Sequence, residues 1–157
     1  MKLTTKGRYG LRAVLDIALQ SGDEAVALSQ IAERQGISLN YLEQLIARLK
    51  KSGILNSVRG AQGGYKLSRP AESISVGDIL RALEGDLNPV DCPEFDGVSG
   101  ACDNADLCVT KYVWKRISDS INSAVDGIML SELVEESRKV QVITGVTDQS
   151  GKSKQTC

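Results

Sequence analysis

Histidine is missing altogether from the 157 residues. Its absence removes serine–histidine and cysteine–histidine catalysis, histidine general bases and every histidine-containing zinc motif. Aromatic residues are scarce, at 4%. The core therefore has to be built from Leu, Ile, Val and Ala, which suits packed helices. No stretch approaches the roughly 18 apolar residues that a membrane span requires. The opening residues 1–8 lack the apolar centre of a secretory signal, so a cytoplasmic protein with no membrane contact is expected. No nucleophile–base pair or substrate motif is visible, and the expectation is a protein that is not an enzyme. What is present, 41% hydrophobic and 25% charged residues, is a foldable globular composition. The length suits one ordinary domain with an appendage, or two small ones.

The net charge of −1 conceals a polarity. Residues 1–69 carry eleven Lys/Arg against five acids, a surplus of six positive charges. Residues 86–110 carry six acids and no base. Such a division points to phosphate recognition by the N-terminal part alone, although an ordinary solvated surface has the same look. Three of the four cysteines, Cys92, Cys102 and Cys108, fall in the acidic stretch with spacing C-x9-C-x5-C; the fourth is Cys157. Without a secretory signal, a cysteine cluster speaks for metal or redox chemistry rather than disulfides.

Helical periodicity begins with Leu11, Val14, Leu15, Ala18 and Leu19, one apolar face that Ser21-Gly22-Asp23 ends. A second helix is expected from Leu28 to Gln35, with Leu28, Ile31 and Ala32 inward and Gly36 as its stop. Ser38 caps a third helix whose buried stripe is Leu39, Leu42, Leu45, Ile46 and Leu49. Lys50 and Lys51 occupy its last turn, where cations suit the helix dipole, and Gly53 terminates it. Residues 54–59 and 65–67 read as two strands joined by the turn 60–64, a hairpin. A further helix is expected over residues 76–83. Residues 85–105 show no periodicity and form a long loop bearing the first two cysteines. A long helix follows over about 106–125, with Val113, Trp114, Ile117, Ile121, Ala124 and Val125 as its apolar stripe. One or two helical turns over 130–136 come next. From about residue 140 onward little can be buried, and disorder is expected.

Two short helices separated by Gly36-Ile37-Ser38 and followed by a hairpin form the pattern of a winged helix-turn-helix. In that architecture the second helix enters the major groove. Burial of Leu42, Leu45, Ile46 and Leu49 leaves Ser38, Asn40, Tyr41, Glu43 and Gln44 on the opposite face. Gln can read adenine and Glu can accept from cytosine. Arg59 beside the glycine turn is placed to enter a groove. The glycine turn is no phosphate-cradling loop, because neither Gly-Lys-Ser/Thr nor a helix follows it.

Three runs carry a resemblance: Lys2-Leu3-Thr4-Thr5-Lys6-Gly7-Arg8-Tyr9; residues 31–38 with Tyr41-Leu42-Glu43-Gln44-Leu45; and Val58-Arg59-Gly60-Ala61-Gln62-Gly63-Gly64-Tyr65. With Cys92, Cys102, Cys108 and Leu130-Ser131-Glu132-Leu133-Val134, they resemble the IscR-type family of iron–sulfur regulators over about residues 1–136. The resemblance implies a mainly α fold and a homodimeric transcription repressor or activator. It implies a winged helix-turn-helix domain over 1–84, a cluster-binding loop over 85–105, a dimerisation helix region over 106–138 and a disordered tail over 139–157. It further implies an operator of double-stranded DNA met by Ser38, Asn40, Tyr41, Glu43, Gln44 and Arg59, with Lys2, Arg8, Gly60 and Tyr65 of the same runs joining them. The position of Glu43 is linked in the family to choosing between two site types. The expected cofactor is an iron–sulfur cluster of the 2Fe-2S type on Cys92, Cys102 and Cys108. Iron–sulfur assembly proteins are expected partners, and iron–sulfur or sulfur metabolism genes the expected targets.

One departure from the family pattern concerns the fourth cluster ligand. The family places a histidine three residues after the third cysteine, where this chain has Lys111. The first two cysteines are also further apart than in the best-known members. A lysine amine is protonated near neutral pH and ligates poorly. Asp103, Asp106, a water or small thiol, Cys157 and a residue of a partner subunit all remain candidates, and an open position also admits a four-iron cluster. Two other readings stand beside this one. The first is a cluster-free regulator of the same fold responding to thiol oxidation, zinc or a partner enzyme. The second is an electron carrier, which has no use for a basic reading helix and wing.

Overall fold

The computed structural model describes residues 4–20, 24–90 and 108–144. In chain order its elements are α1 (Thr5–Gln20), α2 (Leu28–Gln35), α3 (Leu39–Lys51), β1 (Leu55–Val58), β2 (Gly64–Leu67), a 3-10 turn (Ala71–Ser73), α4 (Val76–Glu84), α5 (Lys111–Asp126) and α6 (Leu130–Thr144).

The helix–turn–helix forms because each local choice agrees with it. Gly36 adopts the left-handed conformation (φ 64°), which ends α2 without a Cβ penalty. The N–H of Ile37 then returns to the carbonyl of Ala32 at 3.1 Å. Two residues on, the Ser38 hydroxyl accepts from the Tyr41 N–H at 3.3 Å and opens α3. A Ser75–Asp78 capping box opens α4 in the same way, through Asp78 N–H to Ser75 Oγ at 3.0 Å and Ser75 N–H to Asp78 Oδ2 at 3.3 Å.

The principal core gathers Ala13, Val14 and Ile17 of α1, Ile31 of α2, Leu42, Leu45, Ile46 and Leu49 of α3, Ile54 and Leu55 at the root of the hairpin, Ile79 and Leu83 of α4, and Leu130 of α6. A smaller cluster of Val76, Leu80 and Leu87 receives Ile121 and Val125 of α5. Arg81 of α4 reinforces that contact, donating to Asn122 at 3.0 Å and pairing with Asp126. The chain beyond α4 is held by the buried Ser118, whose hydroxyl donates to Asn88 Oδ1 at 2.8 Å.

The hairpin pairs antiparallel in the register Leu55↔Leu67, Asn56↔Lys66, Ser57↔Tyr65 and Val58↔Gly64. A third segment joins it: Val26 and Tyr65 exchange N–H···O bonds, both 2.9 Å long. The hairpin is thereby tied to the segment entering α2.

Several sequence expectations need correction. The buried face of α1 is wider than the one read from its periodicity, with Ala13, Val14 and Ile17 completely enclosed and Leu11, Leu15 and Ala18 only partly so. The reason is position: α1 touches α2, α3, α4, α6 and β2. Leu39, assigned to the stripe of α3, is 45% exposed, because the first residue of the helix lies beyond the edge of the core. The long helix starts at Lys111 rather than near 106; Val109 and Thr110 form a turn, and Thr110 makes no side-chain cap. Only Ile121 and Val125 of the expected α5 stripe pack internally. The last helix continues to Thr144, beyond the expected tail boundary at 139. Leu130 and Val134 anchor its start, and extending a nucleated helix is far easier than starting one.

Candidate nucleic-acid interface

α3 is buried on one side only. Leu42, Leu45, Ile46 and Leu49 are at most 1% exposed, while Ser38, Asn40, Glu43, Gln44, Ala47 and Arg48 all face outward. Cations close the helix: Arg48, Lys50 and Lys51 lie in its last turn. The outward residues of the first half carry amide and carboxylate groups on side chains of short or moderate length, suited to base edges.

Tyr41 sits at the boundary of this face. It is half-buried, and its hydroxyl lies 3.4 Å from Thr5 Oγ1 on the first turn of α1. Its ring meets that of Tyr9 edge-on, with centroids 6.1 Å apart. The start of α1 is therefore braced against the start of α3, and the exposed Lys6 and Arg8 come to the same end of the molecule.

The N-terminus of α1 is itself held from a distance. The Glu84 carboxylate, at the end of α4, accepts from Thr4 N–H (2.9 Å), Thr4 Oγ1 (2.7 Å) and Gly7 N–H (2.8 Å). Burial pushes the Glu84 carboxyl up. The Thr4 hydroxyl, the two backbone N–H donors and the Lys6 charge outweigh that and hold it below its ordinary value.

The hairpin follows directly from the end of α3. Arg59 and Gly60 lie exposed at the turn after β1, Gly60 with φ 121°. Tyr65 is half-buried and packs on the core, so its ring serves the hairpin root as well as any outer contact.

Cys108 lies three residues before α5. Its thiol is 3.2 Å from Thr110 Oγ1. The Thr110 hydroxyl, then the backbone N–H of Lys111, hold the thiol below its ordinary pKa, which favours the thiolate that metals bind. Lys111 occupies the first turn of α5, its ammonium 5.6 Å from the Tyr112 ring centre. Lys2, Cys92, Cys102 and Cys157 lie outside the described residues. Among the described residues no three Cys, Asp or Glu gather in a metal-holding group.

The sequence matches the Rrf2 model, described as an iron-dependent transcriptional regulator, over residues 3–136. The chain belongs to the Rrf2 family. It is a winged-helix, DNA-binding transcriptional regulator and not an enzyme. This Rrf2 protein is 46% identical over 134 residues to the HTH-type transcriptional regulator IscR of Yersinia enterocolitica, covering 85% of this chain and 79% of that one. Among solved structures it is similar to T. potens IscR (44% identity, TM-score 0.71, 90% of this chain and 91% of that one). It is also similar to CymR, the global cysteine regulator of B. subtilis (34% identity, TM-score 0.70, 87% of this chain and 98% of that one). Among the described residues, no helix is long and apolar enough to cross a membrane.

In this Rrf2 chain the structure brings Ser38, Asn40, Tyr41, Glu43 and Gln44 together at one end of α3, with Arg8 nearby on α1. The Ser38 hydroxyl is engaged as a cap. Lys6 was not singled out by sequence reasoning, although it lies exposed on the same first turn as Arg8. The Glu84 contact was also missed. Its partners are some eighty residues away, and no periodicity reports that.

Proposed function

We propose that this Rrf2 regulator acts in the cytoplasm as a homodimer that reads a two-part operator and carries an iron–sulfur cluster whose presence changes its DNA preference. The one-sided burial of α3 carries the DNA half of the reading. A helix with a fully enclosed apolar stripe and an outward Asn40, Glu43 and Gln44 has its free face ready for a major groove. Arg59 on the wing would supply an adjacent groove contact, and Lys6 and Arg8 would meet phosphates. Lys2 and Gly60 extend those two contacts, while Tyr41 and Tyr65 support them.

The apolar outer side of α5 supports the homodimer. Val113 (54%), Trp114 (37%) and Ile117 (38%) are exposed together on one face. Symmetric pairing would bury them and set two half-sites about one helical turn, or a multiple, apart.

Cys92, Cys102 and Cys108 form the soft donor set, and the thiolate-favouring surroundings of Cys108 fit that role. A bound cluster of the 2Fe-2S type would supply redox sensitivity. The fourth ligand is assigned to none of Lys111, Asp103, Asp106, Cys157 or a partner residue. The loop's acidic residues keep the cluster region off DNA phosphate. Coupling to DNA equals the cluster's preference for one arrangement of the reading heads over another. Iron–sulfur assembly proteins would deliver the cluster, and the regulated genes would serve iron–sulfur or sulfur metabolism. The resemblance to IscR proteins supports this assignment.

Anaerobic purification with iron and sulfide quantitation and an absorption spectrum tests the cluster. The protein is expected to be coloured, and Cys92→Ala, Cys102→Ala or Cys108→Ala to bleach it. Colourless, metal-free protein whose DNA affinity ignores iron reconstitution would remove the sensing half and favour a regulator responding to thiol oxidation, zinc or a partner enzyme.

On a site selected from random duplexes, Arg59→Ala and Gln44→Ala are each expected to cost about 1–3 kcal/mol in titrations. Equal losses on selected and random DNA would show that neither reads sequence. Arg8→Ala should instead weaken all duplexes alike and flatten the salt slope by about one.

A further inference from the structure

In a capping box a helix supplies its own reciprocal partner, with Ser or Thr at the N-cap and Glu or Gln three residues later reaching back to the N-cap N–H. In α1 the cap position is Thr4, and the residue three further on is Gly7, which has no side chain to reach back. Glu84 of α4 stands in for it. One of its oxygens accepts from both Thr4 N–H and Gly7 N–H, and the carboxylate also receives the Thr4 hydroxyl. The glycine makes room: a Cβ there would stand 2.8 Å from Glu84 Oε1. The turn so held carries Thr5, Lys6, Arg8 and Tyr9. Thr5 and Tyr9 meet Tyr41 at the start of α3.

We infer that Glu84 is a positioning residue for DNA binding: by completing the cap of α1 from α4, it sets the first turn of α1, with Lys6 and Arg8, against the reading end of α3. This rests on the reading of that turn as a phosphate contact. It assigns a sign opposite to simple electrostatics. Removing an acid beside two bases would ordinarily strengthen DNA binding. Losing this acid frees the turn and costs the contacts of both bases.

The test is a salt titration of the full chain on a mixed-sequence duplex about three helical turns long, read by fluorescence anisotropy. Glu84→Ala, which removes both acceptor oxygens, is expected to weaken binding on the order of tenfold and to flatten the log–log salt slope by about one to two per protomer. Loss of folded protein alone lowers the active fraction and leaves the slope unchanged. Asp86→Asn removes the same charge two residues further on, where the carboxylate, among the described residues, accepts from the Asn88 N–H; it should leave the affinity within about twofold and the slope unchanged. Thr4→Val keeps the Glu84 charge while removing its hydroxyl partner, together with the cap that hydroxyl gives the Lys6 N–H at 3.1 Å, and should shift affinity and slope in the same direction as Glu84→Ala. It also carries the test should Glu84→Ala fail to fold. Unchanged or tighter binding by Glu84→Ala and Thr4→Val, with a flattened slope for Arg8→Ala, would overturn the role of Glu84 and leave the DNA reading intact. An unchanged slope for Arg8→Ala would remove the phosphate contact itself, and the inference with it.

Discussion

Asp16→Ala is expected to destabilise the protein by about 3–5 kcal/mol, because it strands a largely enclosed guanidinium. Asp16 accepts from Arg34 Nε at 3.0 Å and Nη2 at 2.6 Å, and from Gln35 Nε2 at 2.8 Å. Gln35 in turn accepts from Arg12 Nε at 2.9 Å. The Asp16 and Arg34 side chains are only 5% and 15% exposed. A well-packed apolar pair in their place would cost little, whereas removing one partner leaves the other charge without an acceptor. Chemical denaturation of the metal-free protein measures the loss, and the melting temperature should fall on the order of 10 °C. A loss under about 1 kcal/mol would mean that Arg34 swings out to water, as a surface pair does. Since these residues join α1 to α2, the variant also tests whether the helix pair keeps its angle.

Ile117→Asp is expected to give a monomer and to lower affinity for a two-part operator about 10²–10⁴-fold. On the outer side of α5, Val113, Trp114 and Ile117 are open to solvent. The only tryptophan of the chain lies there, 37% exposed. A carboxylate placed among them would lose its water on pairing, and two symmetric copies would bring like charges together. Once the pair separates, each reading head binds alone and the gain from joining two half-sites disappears. Sedimentation gives the association state, and a titration on the selected site gives the affinity. A dimeric variant with unchanged affinity would place the pairing surface elsewhere. The internal contacts of α5 run through Ser118, Ile121, Val125 and the Arg81 pairing, none of which is the substituted residue.

Local features of the fold were legible because they depend on a few neighbouring residues. Gly36 and Ser38 announced the turn and cap between α2 and α3, and both serve so. The stripe Leu42, Leu45, Ile46 and Leu49 fixed which side of α3 remains free. The Ser75-Val-Gly-Asp78 spacing also announced a helix start, but was passed over. Features set by distant partners were not legible. Periodicity leaves Asp16 off the apolar face of α1, with no hint that it is buried or that Arg34 and Gln35 compensate it. The Val26 addition to the hairpin comes from a single residue between helices, too short for any strand pattern. The extent of α6 was hidden because Val140, Val142 and Ile143 are β-branched and exposed, a poor advertisement for a helix. For the site, side-chain chemistry on α3 and the wing was readable, whereas the support of α1 by Glu84 depended on the tertiary meeting of two helices.

The Val26–Tyr65 crosslink has a mechanical consequence for operator choice. Two backbone bonds lash the foot of the wing to the entrance of α2, and a Cβ on Gly64 would collide with the Val26 carbonyl. With α3 in the major groove as proposed, the span between that helix and the wing is a rigid caliper rather than an adjustable jaw. Any mismatch with the width of a duplex must be absorbed by the duplex, so flexible base steps between the two contacts will be favoured even where no side chain touches them.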